Sequence, residues 1–241
     1  MKRKLKILLM AAMPLVLCAG IIAVLIQTGV IRLNESFAER YSVRGADVSH
    51  YQGEVDFDRL AEQGLQFVFI KATEGSSHVD ARFSENLARV QTSPLRYGFY
   101  HFFSYDSAGI DQAAQFIAHV PVMEDMLPPV IDVEFYGDYT VHPAEPEAVR
   151  TELRAMIDAL AGHYQTPPIL YCTRRAWQLY IRDNFDDCDL WIRDVYFTPS
   201  DCPWTFWQYT DRAVLDGYSG DEPCIDLNVF SGTPDDFRRY P

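Results

Sequence analysis

From residue 44 onward, short apolar runs alternate along the chain with segments in which apolar residues recur at helical spacing. Five strands are predicted at 44–49, 66–75, 95–103, 128–134 and 167–172, and the helices that follow them at 55–64, 81–90, 107–120, 145–164 and 174–185. Asp56 has the position and chemistry of an N-cap for the first of these helices, and Gly64 is expected to end it. Three further strands, 189–196, 205–210 and 225–230, are joined by loops alone.

This alternation predicts a parallel sheet with helices outside it. Five strand–helix units and three bare strands make eight strands, the number that closes a small barrel. The predicted fold class is therefore α/β, a TIM-like barrel of the (β/α)5(β)3 type. In such barrels the chemistry takes place at the carboxyl ends of the strands.

Acidic residues fall at these strand ends. In "PVIDVE" the residues Asp132 and Glu134 are two apart, so they share one face of the strand. Asp47 lies near the end of the first strand and Asp226 belongs to the last, and the two should be adjacent because the first and eighth strands of a closed barrel are neighbours. A strand-end acid often caps the next helix, which is the structural alternative for Asp47 or Asp132. Four acids on one rim instead indicate carboxylates whose repulsion raises a pKa, as glycosidic cleavage requires.

The first thirty residues have a different composition. Four basic residues lie within the first six positions, and 7–26 carries no charged side chain. At ~1.5 Å per residue, such a helix spans a hydrocarbon core of ~30 Å. We expect 1–30 to be a cytoplasmic basic tip and transmembrane helix, 31–43 a linker, and 44–241 an extracellular catalytic barrel. A cleaved signal peptide and lipidation at Cys18 are the alternatives.

The net charge excludes one class of partner. The chain carries −13, and because the first thirty residues hold four basic side chains and no acid, the remainder carries −17. Such a body does not hold nucleic acid through phosphate contacts, and anionic wall polymers or lipid head groups repel it. Binding through shape, stacking and hydrogen bonds is expected instead.

Four cysteines lie in the part expected outside the membrane, Cys172, Cys188, Cys202 and Cys224. They lack the close pair spacing of a zinc site. Cys188 and Cys202 each immediately precede a predicted strand, so parallel neighbouring strands would bring them together at the bottom of the barrel. We therefore predict a Cys188–Cys202 disulfide, with Cys172 and Cys224 free; the alternative is four reduced, buried thiols.

The order of these segments resembles glycoside hydrolase family 25, the bacterial and phage lysozymes also called N-acetylmuramidases. The resemblance covers about residues 44–231 and implies a flattened barrel of five β/α units and three further strands. Two departures are Ala46, where Ile is usual, and Arg193-Asp194, where an alanine often follows the Ile. The matching segments are "RGADVSHYQGEVDF", "FVFIKATEG", "YGFYHFF", "PPVIDVE", "ILYCTRRAW", "LWIRDVY", "FWQYT" and "IDLNVF".

The resemblance implies hydrolysis of the β-1,4 bond between N-acetylmuramic acid and N-acetylglucosamine in peptidoglycan. Glu134 matches the general acid. Asp132 matches the carboxylate that stabilises the intermediate formed when the substrate's 2-acetamido group attacks the anomeric carbon. Asp47 and Asp226 match supporting acids. Donating a proton and balancing positive charge suit carboxylates and need no metal or cofactor.

The saccharide groove is expected to be aromatic, because sugar rings stack on aromatic faces. Tyr100, Tyr171 and Trp191 match groove positions of the family, and Gln208 is a further substrate-binding candidate. The alternative for the aromatic residues is a place in the core. His50 and His101 are expected to be hydrogen-bonded structural residues.

Two other functions remain open. A family-18 chitinase-like enzyme also uses paired acids and the substrate acetamido group, but its signature needs a further Asp where this chain has Val130. A non-catalytic wall-binding module would keep the cleft and lose turnover. The expected partners are the glycan strands of peptidoglycan and, through the N-terminal helix, the membrane; no protein partner can be inferred.

Overall fold

The computed structural model describes residues 2–28, 30–31 and 33–241 and shows a closed barrel. Eight strands surround it in the order β1, β9, β8, β7, β6, β5, β4, β2, and pairing of β1 with β2 closes the ring. A short strand, β3, adds a hairpin to β2. The strands are β1 (Arg44–Val48), β2 (Phe67–Glu74), β3 (His78–Val79), β4 (Arg96–Phe102), β5 (Val130–Val133), β6 (Ile169–Thr173), β7 (Leu190–Arg193), β8 (Phe206–Ala213) and β9 (Ile225–Phe230). The predicted eight-stranded barrel is confirmed.

The last strand runs against its neighbours. The ladder from β1 through β2, β4, β5, β6 and β7 to β8 is parallel, whereas β9 is antiparallel to both β8 and β1. The expectation of an all-parallel sheet was therefore wrong for β9. Its beginning, and not its end, reaches the rim formed by the carboxyl ends of the other strands. Asp226 lies near that beginning and pairs in register with Asp47, which confirms their predicted adjacency.

The barrel interior is filled with aromatic rings. Phe67 and Phe69 of β2 pack edge-on against Phe206 of β8, and Trp191 of β7 stacks on Phe69 at 4.6 Å between ring centroids. Gly45 faces the Phe67 ring so closely that a Cβ would lie 2.4 Å from it, and a larger residue would displace the ring. These buried rings fill the lower part of the barrel.

Helices cover the outside of the barrel. Among the helices that follow β1, the longest begins at Pro146, is capped by the carboxylate of Glu145, and buries an apolar face that includes Leu153 and Ile157. Asp56 caps the helix that starts at Phe57, as predicted. The helices are α1 (Lys2–Gln27), α2 (Leu33–Ala38), α3 (Phe57–Glu62), α4 (Phe83–Val90), α5 (Gly109–His119), α6 (Pro146–Tyr164), α7 (Arg174–Ala176) and α8 (Pro234–Arg239).

Two helical predictions need correction. The helix expected over 174–185 is α7 followed by a π-helical turn, Trp177–Ile181, in which the N–H of Arg182 donates to the carbonyl of Trp177. Helices were expected to stop after the fifth unit, yet α8 follows β9. A capping box between Thr233 and Asp236 starts it, and Phe237 anchors it against the barrel.

The N-terminal region contains two helices. In the part of the chain that the structure describes, no helix is long and apolar enough to cross a membrane, so the predicted anchor is not supported. The side chains of residues 1–11, including the basic tip, lie outside the described part. Part of the segment expected to be a linker packs on the barrel: Asn34 in α2 is buried and donates to the carbonyl of Asp194 at 2.8 Å, and Tyr41 packs against Trp204.

All five cysteines are unpaired, so the predicted Cys188–Cys202 disulfide is wrong. The neighbour of Cys202, Asp201, pairs with Arg174 directly after β6. The loop therefore carries Cys202 up the outside of the sheet, away from Cys188 at the start of β7. Because β9 is antiparallel, Cys224, directly before it, lies toward the rim.

Candidate active site

A cleft of about 380 Å³ opens at the carboxyl ends of the parallel strands. The four acids predicted at the strand ends lie on its floor, and apolar and polar side chains form its walls. The lining includes Asp47, Asp132, Glu134, Asp226, Lys71, Tyr51, Tyr100, Phe102, Tyr171, Trp191, Asp211 and Glu222. This is the position at which barrels of this kind hold their chemistry.

Asp132 and Glu134 come from the end of β5 and both line the cleft. Asp132 is 5% exposed, and its Oδ1 atom is buried without a hydrogen-bond partner among the described residues. Burial, reinforced by the charge of Glu134, raises the pKa of Asp132 well above its ordinary value. Burial also raises the pKa of Glu134, with a smaller contribution from the charge of Asp47, while the charges of Arg193 and Lys71 oppose the shift. Both shifts favour the protonated forms of the two acids.

Asp47 and Asp226 form a second pair, held from below by amide side chains. Nε2 of Gln208 donates to Oδ2 of Asp47 at 2.9 Å and to Oδ2 of Asp226 at 3.0 Å, and Nδ2 of Asn228 donates to Asp47 at 2.8 Å. Burial raises the pKa of Asp47 to about 6, while the amide hydrogen bonds oppose the shift. Burial and the charge of Asp47 raise the pKa of Asp226 to about 9.

The candidates for substrate binding lie at two depths, in the lining of the cleft and beneath its floor. Tyr100, Tyr171 and Trp191 line the cleft, although Tyr171 and Trp191 are 6% and 2% exposed and belong largely to the barrel core. Gln208 is 1% exposed and lies beneath the acids, where its Oε1 accepts the Tyr171 hydroxyl at 2.9 Å. The expectation that Gln208 faces substrate is corrected, because all its polar atoms are engaged under the floor.

Several polar residues in or around the cleft were not proposed as site residues from the sequence. Lys71 lines the cleft and pairs with Glu74 at 2.7 Å. Arg193 donates to Asp211 at 2.8 Å. Asn228 accepts from the Trp191 indole N–H at 2.8 Å. Lys71 and Asn228 show the same signal as the acids, a polar residue within a predicted strand. Lys71 lies in the otherwise apolar run "FVFIKATEG", and Asn228 is two residues after Asp226 on one strand.

The two histidines near the rim are hydrogen-bonded, as predicted. Nδ1 of His50 lies 2.8 Å from the carboxylate of Asp80. His101 is buried between Thr73 and Gln112, and burial lowers its pKa to about 4. Among the described residues, no group of three or more His, Cys, Asp or Glu side chains is arranged to hold a metal ion.

The arrangement combines acids that hold a proton with acids that ionise, on the floor of an open cleft with aromatic walls. Cleavage of a glycosidic bond requires a proton donor to the leaving oxygen and a carboxylate to balance positive charge at the anomeric carbon. The fold and the site are therefore those of a glycoside hydrolase.

Comparison with known sequences identifies the family. A sequence model of the family described as Glycosyl hydrolases family 25 matches residues 46–218, and the chain belongs to this family. It is 31% identical to the Escherichia coli K12 protein YegX over 218 residues, which cover 86% of this chain and 77% of that protein. It is 29% identical to Lysozyme M1 of Streptomyces globisporus over 219 residues, 81% of this chain and 70% of the lysozyme.

A solved structure gives the same result for the fold. The family 25 glycosyl hydrolase from Bacillus anthracis superimposes with a TM-score of 0.80 at 49% sequence identity, covering 84% of this chain and 94% of the other. This similarity extends over nearly all of the barrel described above.

Proposed function

We propose that this glycoside hydrolase cleaves the β-1,4 bond between N-acetylmuramic acid and N-acetylglucosamine in peptidoglycan. The observation that carries the proposal is the pair of acids at the end of β5, the buried Asp132 and the partly buried Glu134, which line one cleft in a chain of family 25. Relatives named lysozyme and N,O-diacetylmuramidase support the choice of substrate. Activity on peptidoglycan requires the barrel to work outside the cytoplasmic membrane.

The proposed mechanism divides the work between the two acids. Glu134, the less buried of the pair, donates its proton to the leaving glycosidic oxygen. The carbonyl oxygen of the substrate's 2-acetamido group attacks the anomeric carbon as the bond to the leaving oxygen breaks, and water then opens the resulting ring, losing its proton to Glu134. The N–H of the acetamido group donates to Asp132, whose buried Oδ1 has no partner among the described residues. A donor at this position favours the ionised form of Asp132 and leaves the shared proton on Glu134.

The surrounding charges support this division. In the proposal, Asp47 and Asp226 keep the cleft acidic, which stabilises the developing positive charge of the sugar. Lys71 and Arg193 approach from opposite sides of the barrel and limit the repulsion among the acids. Tyr100 and the exposed Tyr51 provide walls for sugar rings.

Release of reducing ends from purified peptidoglycan tests the proposal. The wild-type protein should release new reducing ends whose sugar is N-acetylmuramic acid, as identified by borohydride reduction and mass spectrometry. Release from chitin but not from peptidoglycan would favour the chitinase-like alternative. Binding to peptidoglycan without any release would identify a wall-binding module.

The stereochemistry of the product tests the mechanism. Participation of the acetamido group retains the anomeric configuration without forming an ester between sugar and enzyme. Proton NMR during hydrolysis should show the retained anomer first. An inverted product, or a glycosyl ester trapped on Asp132, would contradict the mechanism while leaving the substrate assignment intact.

A further inference from the structure

A second depression, of about 670 Å³, lies beside the cleft, outside the ends of β6 and β7. We call it the arginine depression and define it by Thr173, Arg174, Arg175, Arg193, Tyr196 and Phe197. Arg193 connects it with the cleft, because this side chain lines the depression and donates to Asp211, which lines the cleft. The depression and the cleft are therefore adjacent, joined by the ion pair of Arg193 with Asp211.

The arginines of this depression differ in their partners. Arg174 is neutralised by Asp194 and Asp201. Arg175 is exposed, donates to the carbonyl of Thr140 at 2.7 Å, and lies 4.5 Å above the ring of Phe135, the residue after Glu134. Among the described residues, no carboxylate pairs with Arg175. Its charge is thus available to an anion from solution.

Another depression on this acidic protein has the opposite balance of arginine and aspartate in its lining. The groove beside Trp177 and Trp204 has one arginine, Arg182, against four aspartates in its lining. The arginine depression has three arginines against two aspartates. Local charge therefore favours an anionic ligand here and disfavours one in the groove.

The apolar part of the depression is held in place. Oδ1 of Asp194 accepts the backbone N–H groups of Tyr196 and Phe197, and its Oδ2 accepts from Arg174. Asn34 of α2 donates to the carbonyl of Asp194. Tyr196 and Phe197 nevertheless remain 45% and 67% exposed. The fold fixes the loop and leaves two aromatic rings facing outward beside a cation.

We propose that the arginine depression binds the anionic peptide stem carried by the N-acetylmuramic acid at the cleavage site. This inference rests on the proposed function. The stem leaves the sugar through its lactyl group, close to the scissile bond, and bears free carboxylates. The acids of the cleft repel such a chain, whereas Arg175 offers paired N–H donors that match a carboxylate. Phe197 offers apolar contact to the aliphatic parts of the stem.

The experiment compares two substrates, peptidoglycan with its stems and the same glycan after an amidase has removed them. Arg175→Gln should raise KM for the stem-bearing substrate about fivefold, the scale of one partly exposed ion pair, with kcat unchanged. On stripped glycan the variant should match the wild type, and Arg175→Lys should restore part of the loss. Arg182→Gln is the matched control, because Arg182 is also an exposed arginine above an aromatic ring, 5.4 Å from that of Trp177.

A binding measurement separates this inference from the proposed function. Titration of a soluble muramyl peptide should show weaker binding to Arg175→Gln than to the wild type and the Arg182→Gln control. Equal binding by all three, or an equal loss on both glycans, would overturn the inference. Failure of the wild type to hydrolyse either glycan would refute the proposed function alone, since the titration still reports on the depression.

Discussion

Asp47 and Asp226 stand opposite each other on antiparallel strands, and one amide nitrogen, Nε2 of Gln208, donates to both carboxylates. Burial raises the pKa of both acids, to about 6 and about 9, so the pair does not carry two full charges near neutral pH. The shared donor fixes the separation of two groups that would otherwise repel. The geometry of the cleft floor therefore depends on a residue that does not line the cleft.

Replacing Gln208 by Leu keeps the approximate volume but removes the donor to both acids and the acceptor for the Tyr171 hydroxyl. We expect the free energy of unfolding to fall by about 1–3 kcal/mol, the usual cost of leaving buried polar groups without partners. Urea denaturation at pH 7 measures this. The control is Gln178→Leu, at an exposed glutamine. Equal stability of the two variants would show that the Gln208 bridge contributes nothing.

Glu134→Gln preserves the shape of the proposed general acid and removes the proton that it transfers. Turnover of peptidoglycan should fall by about two orders of magnitude or more, with unfolding little changed. Glu222→Gln is the matched control, because Glu222 lines the same cleft but is exposed. We expect the control to retain most of the activity. A Glu134→Gln enzyme as active as Glu222→Gln would remove Glu134 from its proposed role.

The raised pKa of Asp226 makes stability depend on pH. Because the folded protein binds this proton more tightly than the unfolded chain, the stabilisation is present at low pH and is lost as pH rises from about 4 toward 9. Asp226→Asn keeps an acceptor for Gln208 and removes the titration. At pH 8 the variant should be the more stable protein, by roughly 1–3 kcal/mol after screening by water in the cleft. The difference should shrink at pH 4.5.

Urea denaturation of the two proteins at both pH values checks this. A wild-type protein whose stability does not change relative to Asp226→Asn between pH 4.5 and 8 would contradict the raised pKa. A larger advantage of the variant at pH 4.5 than at pH 8 would show that the pKa shift of Asp226 has the opposite sign.

The sequence predicted the barrel because its signals are local. Apolar runs bounded by turns mark each strand, and the spacing of Asp132 and Glu134 places both acids on one face whatever the partner strand. The direction of β9 was not predictable in the same way. A bare strand joined by a loop can run either way, so the position of Asp226 within its strand gave no indication of which end meets the rim.

Contacts between distant parts of the chain were the other source of error. Gln208 lies in a strand, and only its partners from β1, β6 and β9 show that it faces inward beneath the acids. The Cys188–Cys202 pairing assumed that each residue just before a strand lies at the bottom of the barrel, but the ion pair between Arg174 and Asp201 carries the loop upward. By contrast, α8 carries a local signal, the capping box in "TPDDF".

Substitutions of Arg193 test how the charges around the cleft set the pKa of the proposed general acid, Glu134. The charged groups that act on Glu134 from the surrounding strands are Asp47, Asp132, Lys71, Asp226 and Arg193. Arg193 lowers the pKa of Glu134 and of Asp226, against the effect of burial.

Arg193→Gln should therefore raise the pKa of Glu134 and keep it protonated to higher pH. The alkaline limb of kcat/KM for stem-free glycan should therefore move to higher pH. Arg193→Lys retains the positive charge and should keep the limb near its wild-type position. A limb that moves equally in both variants would indicate a loss of geometry and not of charge, and one that moves downward would contradict the electrostatic argument.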